Sequence, residues 1–207
     1  MSILASDNFN RANGALGANW TNQSQGANNV QIASNQVEAT LANDFEAAFW
    51  SAITWPNDQF SQATLIRGDT SGQSGGGPIV RVSSSAFTMY YVFATEGTPG
   101  TIQIAKIVAG SFTPVSTVTP NVSANDVLLL TVQGTTLRCF QNGTQATSVT
   151  DAAISSGSPG LSVNPGFGSV VTDAEVDNWS GGDFQGTELG RPDGVRGTRL
   201  MQQLLAT

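Results

Sequence analysis

The sequence predicts an all-β fold: a two-sheet antiparallel jelly-roll sandwich that ends in a short C-terminal arm. Three observations carry that expectation. Short alternating apolar runs recur about every 8 to 15 residues, each bounded by Gly, Pro, Asn or Asp, which is the rhythm of a sandwich. The 23 glycines and 8 prolines are spread along the chain and leave little room for a long helix. Charged residues fill only 11% of the 207 positions, against about 25% in an ordinary globular chain. Ser, Thr, Asn and Gln take their place, as the polar outer faces of sheets require, and the length suits one large sandwich built on a single core.

The elements follow in order. After Asp7-Asn8-Phe9, residues 13–23 read as a loop, and two short runs at 30–33 and 36–41 flank Ser34-Asn35 as a meander. Further strand-like runs occupy 45–53, 60–67, 78–83, 87–94, 101–110 and 114–119. Between Gly68 and Gly77 the sequence DTSGQSGG reads as a mobile surface loop. The strongest local signal is at 128–149, where alternating runs flank Asn142-Gly143, a pair suited to the two positive φ angles of a type I′ turn. Gly134-Thr135 marks an earlier bend, and residues 151–159 form a loop before Gly160-Leu161-Ser162-Val163. In the closing strand, Val170, Thr172, Ala174 and Val176 alternate with Asp173, Glu175 and Asp177. The apolar set is expected to face inward and the acids to form the solvated outer face of a terminal strand.

Charge and composition then exclude chemistry. A net charge of −7 and an isoelectric point near 4.3 oppose phosphate-bearing partners, so no nucleic acid is expected. The chain has no histidine, which removes His-dependent triads and metal sites. Cys139 is the single cysteine, so no intramolecular disulfide can form and the residue reads as a buried hydrophobe. The glycine-rich stretch before Pro78 lacks the Lys-Ser/Thr of a phosphate-binding loop. No apolar stretch approaches the roughly 20 residues of a membrane span, and MSILASDNFNR lacks a basic start and apolar run of the signal-peptide type. Synthesis in the cytoplasm without a signal peptide, and no membrane partner, are the expectations.

Taken together, DNF near the start, WPNDQFSQATL, GGPIVRV, MYYVF, IQIAKIVAG, DVLLLTVQGTTLRCFQNGT, SSGSPGLSV and the closing VDNW resemble the concanavalin A-like lectin and glucanase superfamily, laminin G-like modules included. The resemblance covers about residues 6 to 184 and rests on structural motifs, which point to fold more than to ligand. It implies that the first and last strands lie side by side, in keeping with the echo of Asp7-Asn8-Phe9 in Asp177-Asn178-Trp179.

Three functions follow as expectations. The first is a non-catalytic, surface-displayed structural protein, a virion (phage) decoration or attachment component. The second is a carbohydrate-binding module, and the third a glycoside hydrolase of glucanase type. A sugar would be held by aromatic platforms and polar side chains in a groove. Trp55, Asp58, Gln59, Arg81 and Tyr90 are the candidates; Tyr90 and Tyr91 are adjacent in a strand, so only one can face a given site. A glycosidase needs two flanking carboxylates, but Asp173, Glu175 and Asp177 invert the Glu-x-Asp-x-Glu order of the glucanases. No catalytic residue and no resident metal or cofactor is assigned, with calcium left open at those acids. The domain is placed at 1–184 and the linker and arm at 185–207. In the arm, Leu200, Met201, Leu204 and Leu205 give an apolar helical stripe, with Arg196 and Arg199 beside it, for docking on other protein subunits.

Overall fold

The computed structural model describes residues 1–24 and 29–184. Fifteen strands are formed among them: β1 (Ser2–Asp7), β2 (Trp20–Asn22), β3 (Val30–Ala33), β4 (Gln36–Ala39), β5 (Glu46–Trp50), β6 (Gln59–Gly68), β7 (Gly75–Val82), β8 (Met89–Thr95), β9 (Thr101–Val108), β10 (Ser111–Val118), β11 (Asp126–Gln133), β12 (Thr136–Gln141), β13 (Thr144–Thr150), β14 (Ser158–Asn164) and β15 (Ala174–Asp183). The one helical segment described is a 3-10 turn at Val171–Asp173. The strands build two antiparallel sheets. The first runs β13-β12-β11-β6-β15-β4-β3, with β1 also paired to β15; the second runs β10-β9-β8-β7-β14-β5-β2. This is the predicted jelly-roll sandwich.

Local chemistry sets the hairpins. Asn142 and Gly143 have φ of 50° and 79° and join Gln141 to Thr144 in register. Ser34-Asn35 and Ala109-Gly110 do the same for the β3–β4 and β9–β10 pairs, both with two positive φ angles. Such turns match the twist of the strands they join. The first and last strands lie side by side as the resemblance implied, with Ser2 opposite Asp183 and Asp7 opposite Trp179.

Between the sheets lie two contiguous apolar cores. One joins Leu65, Leu128, Leu130 and Leu137 of the first sheet to Val80, Tyr90, Val92, Ile102 and Ile104 of the second. The other is centred on Trp179, whose ring stacks on Trp50 at 5.5 Å and meets Trp20 and Trp55 edge-on at 4.6 and 6.3 Å. All four tryptophans therefore meet in one cluster. Buried Trp179 donates through Nε1 to Ser61 Oγ (2.9 Å) and to the Gly160 carbonyl (3.0 Å), so its one polar atom is satisfied.

Several sequence expectations are corrected. Trp20–Asn22 forms a short strand inside the stretch read as loop. Gly75, Gly76 and Gly77 are buried in β7 rather than in a mobile loop, so the connection shrinks to residues 69–74. Glycine is required there because the backbones crowd: a Cβ on Gly77 would sit 2.7 Å from the Val92 carbonyl oxygen, and one on Gly75 2.1 Å from that of Ala94. The closing strand starts at Ala174, which leaves Val170 exposed, though Ala174 and Val176 do face the core. Nor is β15 a solvated terminal strand. It pairs with β6, β4 and β1, and Glu175 is buried opposite Glu38. Burial raises the Glu175 carboxyl above its ordinary range, with Glu38 and Asp173 adding to the rise and Arg67, 3.6 Å away, opposing it.

Candidate functional site

Strands of the second sheet alternate between core and exterior, and the exterior is apolar as well. In β8, Tyr90, Val92 and Ala94 face the core, while Met89, Tyr91 and Phe93 face outward. Ala47 and Phe49 of β5, Ile79 and Val82 of β7, and Ala105 and Ile107 of β9 join them on that outer face. The result is a second apolar layer with no sheet above it. Phe45, Phe87, Tyr91, Phe93, Gln103, Ile107, Gly110, Phe112 and Asn164 line an open groove of about 300 Å³ on this face, at the lower end of the range for small-ligand sites, about 300–1,000 Å³.

Between β5 and β8, Ser162 of β14 stands opposite Gly77 of β7 and Asn164 opposite Gly75. The aromatic rings lean together: Phe45 meets Tyr91 edge-on at 4.8 Å and Phe87 at 5.9 Å, and Tyr91 meets Phe112 at 6.4 Å. Phe112 is 55% exposed, on an edge strand. Tyr91 is 5% exposed, and its hydroxyl has no hydrogen bond among the described residues. Burial drives its phenol far above the ordinary value of 10.0, so it stays protonated and able to donate. Tyr91 Oη, Gln103 and Asn164 are the polar groups of the groove; the residues that line it carry no charge.

The sugar candidates read from the sequence lie elsewhere. Arg81 is 2% exposed and holds backbone: its Nε donates to Asn57 O (3.1 Å), Nη1 to Ile154 O (2.7 Å) and Nη2 to Gly134 O (2.8 Å). Buried Gln59 donates to Pro56 O and Gly157 O and accepts from Arg81 N. Asp58, half-exposed, accepts from Gly134 N at 2.7 Å and lies 3.7 Å from Arg81. Buried Tyr90 donates to Asp151 Oδ1 (2.5 Å) and accepts from Ile154 N (3.0 Å), while Lys106 Nζ reaches Asp151 Oδ2 at 2.5 Å. Burial, with Asp151 alongside, pushes the Tyr90 phenol up to about 12. Buried Trp55 spends its Nε1–H on Trp50 O (2.8 Å). The structure thus brings Asp58, Gln59, Arg81 and Tyr90 together, but as a belt that pins the 134 turn and the 151–157 loop. Trp55 belongs to the tryptophan cluster. The pair Tyr90–Tyr91 resolves the other way round from the sequence expectation: Tyr91 faces the groove.

The acids belong to the first sheet. Glu175 lies on the outer face of that sheet, opposite Glu38 in register. Asp177 has its carboxyl raised by burial first and by neighbouring Asp7 second, and one of its oxygens is buried without a hydrogen-bond partner among the described residues. No group of three or more His, Cys, Asp or Glu side chains among the described residues is arranged to hold a metal ion. No described helix is long and apolar enough to cross a membrane. The docking residues expected in the tail, Arg196, Arg199, Leu200, Met201, Leu204 and Leu205, lie outside the described residues.

A two-sheet jelly roll with paired terminal strands and an open groove on one outer face is the concanavalin A-like fold. Solved structures bear this out. The chain is similar to the carbohydrate-binding module CBM66 from Bacillus subtilis (12% identity, 80% of this chain and 92% of that one, TM-score 0.56). It is similar to the β-glucanase of Bacillus licheniformis (11% identity, 86% and 97%, TM-score 0.56). It is also similar to the exoplasmic/lumenal domain of VIP36 in a Ca2+/Man3GlcNAc-bound form (13% identity, 85% and 87%, TM-score 0.55). At such identities the likeness is one of fold, shared by binding modules, lectins and hydrolases. No protein-family model matches the sequence, and no curated protein matches it.

Proposed function

We propose that this chain is a non-catalytic carbohydrate-binding domain that takes its ligand in the aromatic groove of the second sheet. The observation that carries the reading is the outward-facing set Tyr91, Phe93, Phe45, Phe87 and Phe112, an apolar layer beyond what the core requires, with the free Tyr91 hydroxyl among them. Aromatic faces pack on the apolar faces of a sugar ring, and a phenol and two amides suit its hydroxyl rim. The carbohydrate-binding module CBM66 and the Man3GlcNAc-bound VIP36 domain lend support, since both share the fold. A hydrolase would need two carboxylates flanking the scissile bond. No Asp or Glu among the described residues lines the groove, and Glu38 and Glu175 are buried in the other sheet. Attachment to a particle through residues 185–207 is a separate part of the proposal. Deleting residues 188 to 207 tests it, and unchanged assembly state and particle incorporation would sink it.

Titration of the full chain against a panel of polysaccharides tests the binding reading. Binding is expected, and Phe112→Ala should weaken it about tenfold with the fold intact, because a half-exposed side chain contributes little to stability but about 1 kcal/mol or more to a stacked contact. No binding across the panel, or a variant that binds like the parent, would overturn it.

A further inference from the structure

The groove and its surroundings also specify the class of sugar, an inference that rests on the binding reading just given. The described residues hold five cations, Arg11, Arg67, Arg81, Lys106 and Arg138. Arg11 is paired with Asp7 at 2.6 Å, Arg67 faces Glu175, Arg81 is buried on backbone carbonyls, and Lys106 is held by Asp151. Arg138 lies in β12, in the other sheet. Among the described residues, therefore, no cationic side chain lines the groove, while the chain as a whole carries −7. Carboxylate, sulfate and phosphate groups are recognised by Arg and Lys, through charge-assisted hydrogen bonds. An anionic glycan would find none of these here and would meet a repulsive field besides.

The geometry also sets a length. Within the groove the rings of Phe112, Tyr91 and Phe45 follow one another at centroid distances of 6.4 and 4.8 Å, a continuous aromatic track from the edge strand β10 to the residue just before β5. A further aromatic, Phe167, stands on a turn bonded to the loop that carries Phe45. Asn164 lines the groove, and three residues on stands Phe167, 88% exposed. Its turn is fixed from several sides. Asn43, two residues before Phe45, donates its N–H to Pro165 O (2.9 Å) and accepts from Gly168 N through Oδ1 (2.7 Å). Ser74 Oγ accepts from Gly166 N (3.0 Å) and bonds Ser169 Oγ (2.6 Å). Phe167 is thus an aromatic ring held out in water by a bonded turn, tied to the loop that carries Phe45. An exposed aromatic on a fixed backbone is preorganised for contact, since little freedom is lost on binding.

We infer that the ligand is an uncharged, extended glycan chain that crosses the strands from Phe112 over Tyr91 to Phe45 and continues onto Phe167. The experiment uses the full chain and an immobilised panel of neutral linear polysaccharides (glucans, xylan, mannan, galactan, arabinan) beside acidic ones (polygalacturonate, alginate, hyaluronan). Oligosaccharides of two to eight units cut from the neutral polymer that binds best are then titrated. Binding confined to neutral polymers is expected, with affinity rising at least tenfold from two units to the longest oligomers. Phe167→Ala should remove most of that rise and leave the shortest oligomer unaffected, whereas Phe112→Ala weakens every length. Acidic polymers bound as tightly as neutral ones, an affinity independent of length, or a Phe167→Ala loss equal at all lengths would each overturn the inference and leave the binding reading standing. Failure of every polymer to bind removes both.

Discussion

The rings of Phe45 and Tyr91 meet edge-on with centroids 4.8 Å apart, although β14 and β7 lie between β8 and the strand that Phe45 precedes. The two intervening strands pair Ser162 with Gly77 and Asn164 with Gly75, and Phe45, Tyr91 and Asn164 line the same groove.

The Tyr91 hydroxyl makes no hydrogen bond among the described residues. Tyr91→Phe should retain the fold and melting temperature and lower saccharide affinity by up to about tenfold, the worth of one neutral hydrogen bond of roughly 0.5–1.5 kcal/mol. Calorimetric titration beside a thermal melt checks both halves, and an unchanged affinity would remove the hydroxyl from recognition.

Arg81 should behave as a structural residue. Arg81→Ala leaves the carbonyls of Ile154, Gly134 and Asn57 without their guanidinium donor, at a cost of about 3 kcal/mol or more by urea unfolding. Arg81→Lys should recover little, since one ammonium cannot reproduce a planar fork aimed at three oxygens. A fully stable alanine variant would contradict this assignment.

Acid should weaken the N-terminal corner through Asp7. Its carboxylate accepts from Arg11 at 2.6 and 2.9 Å, from Phe9 N at 2.9 Å and from Trp20 Nε1 at 2.9 Å. Burial alone would raise its pKa, but these bonds more than offset it and hold the carboxyl below 3.8. A folded-state pKa depressed in this way contributes stability above the unfolded value, and that stability is lost as pH falls through the folded one. Asp7→Asn should therefore be less stable than the parent at neutral pH, and the gap should close as pH drops below 3.8. Denaturant melts of both chains at neutral and acid pH read it out; a gap that stays constant would show that charge is not what Asp7 supplies.

Gly77 is held to glycine by its neighbours. A Cβ there would lie 2.7 Å from the Val92 carbonyl oxygen, backbone that cannot swing aside, so Gly77→Ala should destabilise by about 1–3 kcal/mol. Thermal unfolding tests this, and a neutral result would mean that the β7–β8 approach is looser than described.

Much of the architecture is legible in the sequence itself. Asn142-Gly143 and Ser34-Asn35 fixed two hairpins because positive φ is a property of a residue and its immediate neighbours. The pairing of first and last strands followed from the resemblance. The closing strand was legible only in part: Ala174 and Val176 do face inward, but Glu175 is buried, since the number of partners a strand has is not written in its own residues.

The candidate site was legible less well, and for a physical reason. Period-two alternation assigns side chains to two faces without saying which face is covered, and in MYYVF both faces are apolar. The sequence therefore determined that Tyr90 and Tyr91 diverge, that the sheets would stack, and that no histidine is available for chemistry. Only tertiary structure decided that Tyr90 turns inward, where Asp151 and Ile154 satisfy its hydroxyl, and that Tyr91 looks out onto a groove. It also made Arg81, Gln59 and Trp55 internal supports. Whether a polar or aromatic side chain meets a ligand or a backbone carbonyl depends on what the rest of the chain brings opposite it, and partners more than 50 residues away are set by packing rather than by local pattern.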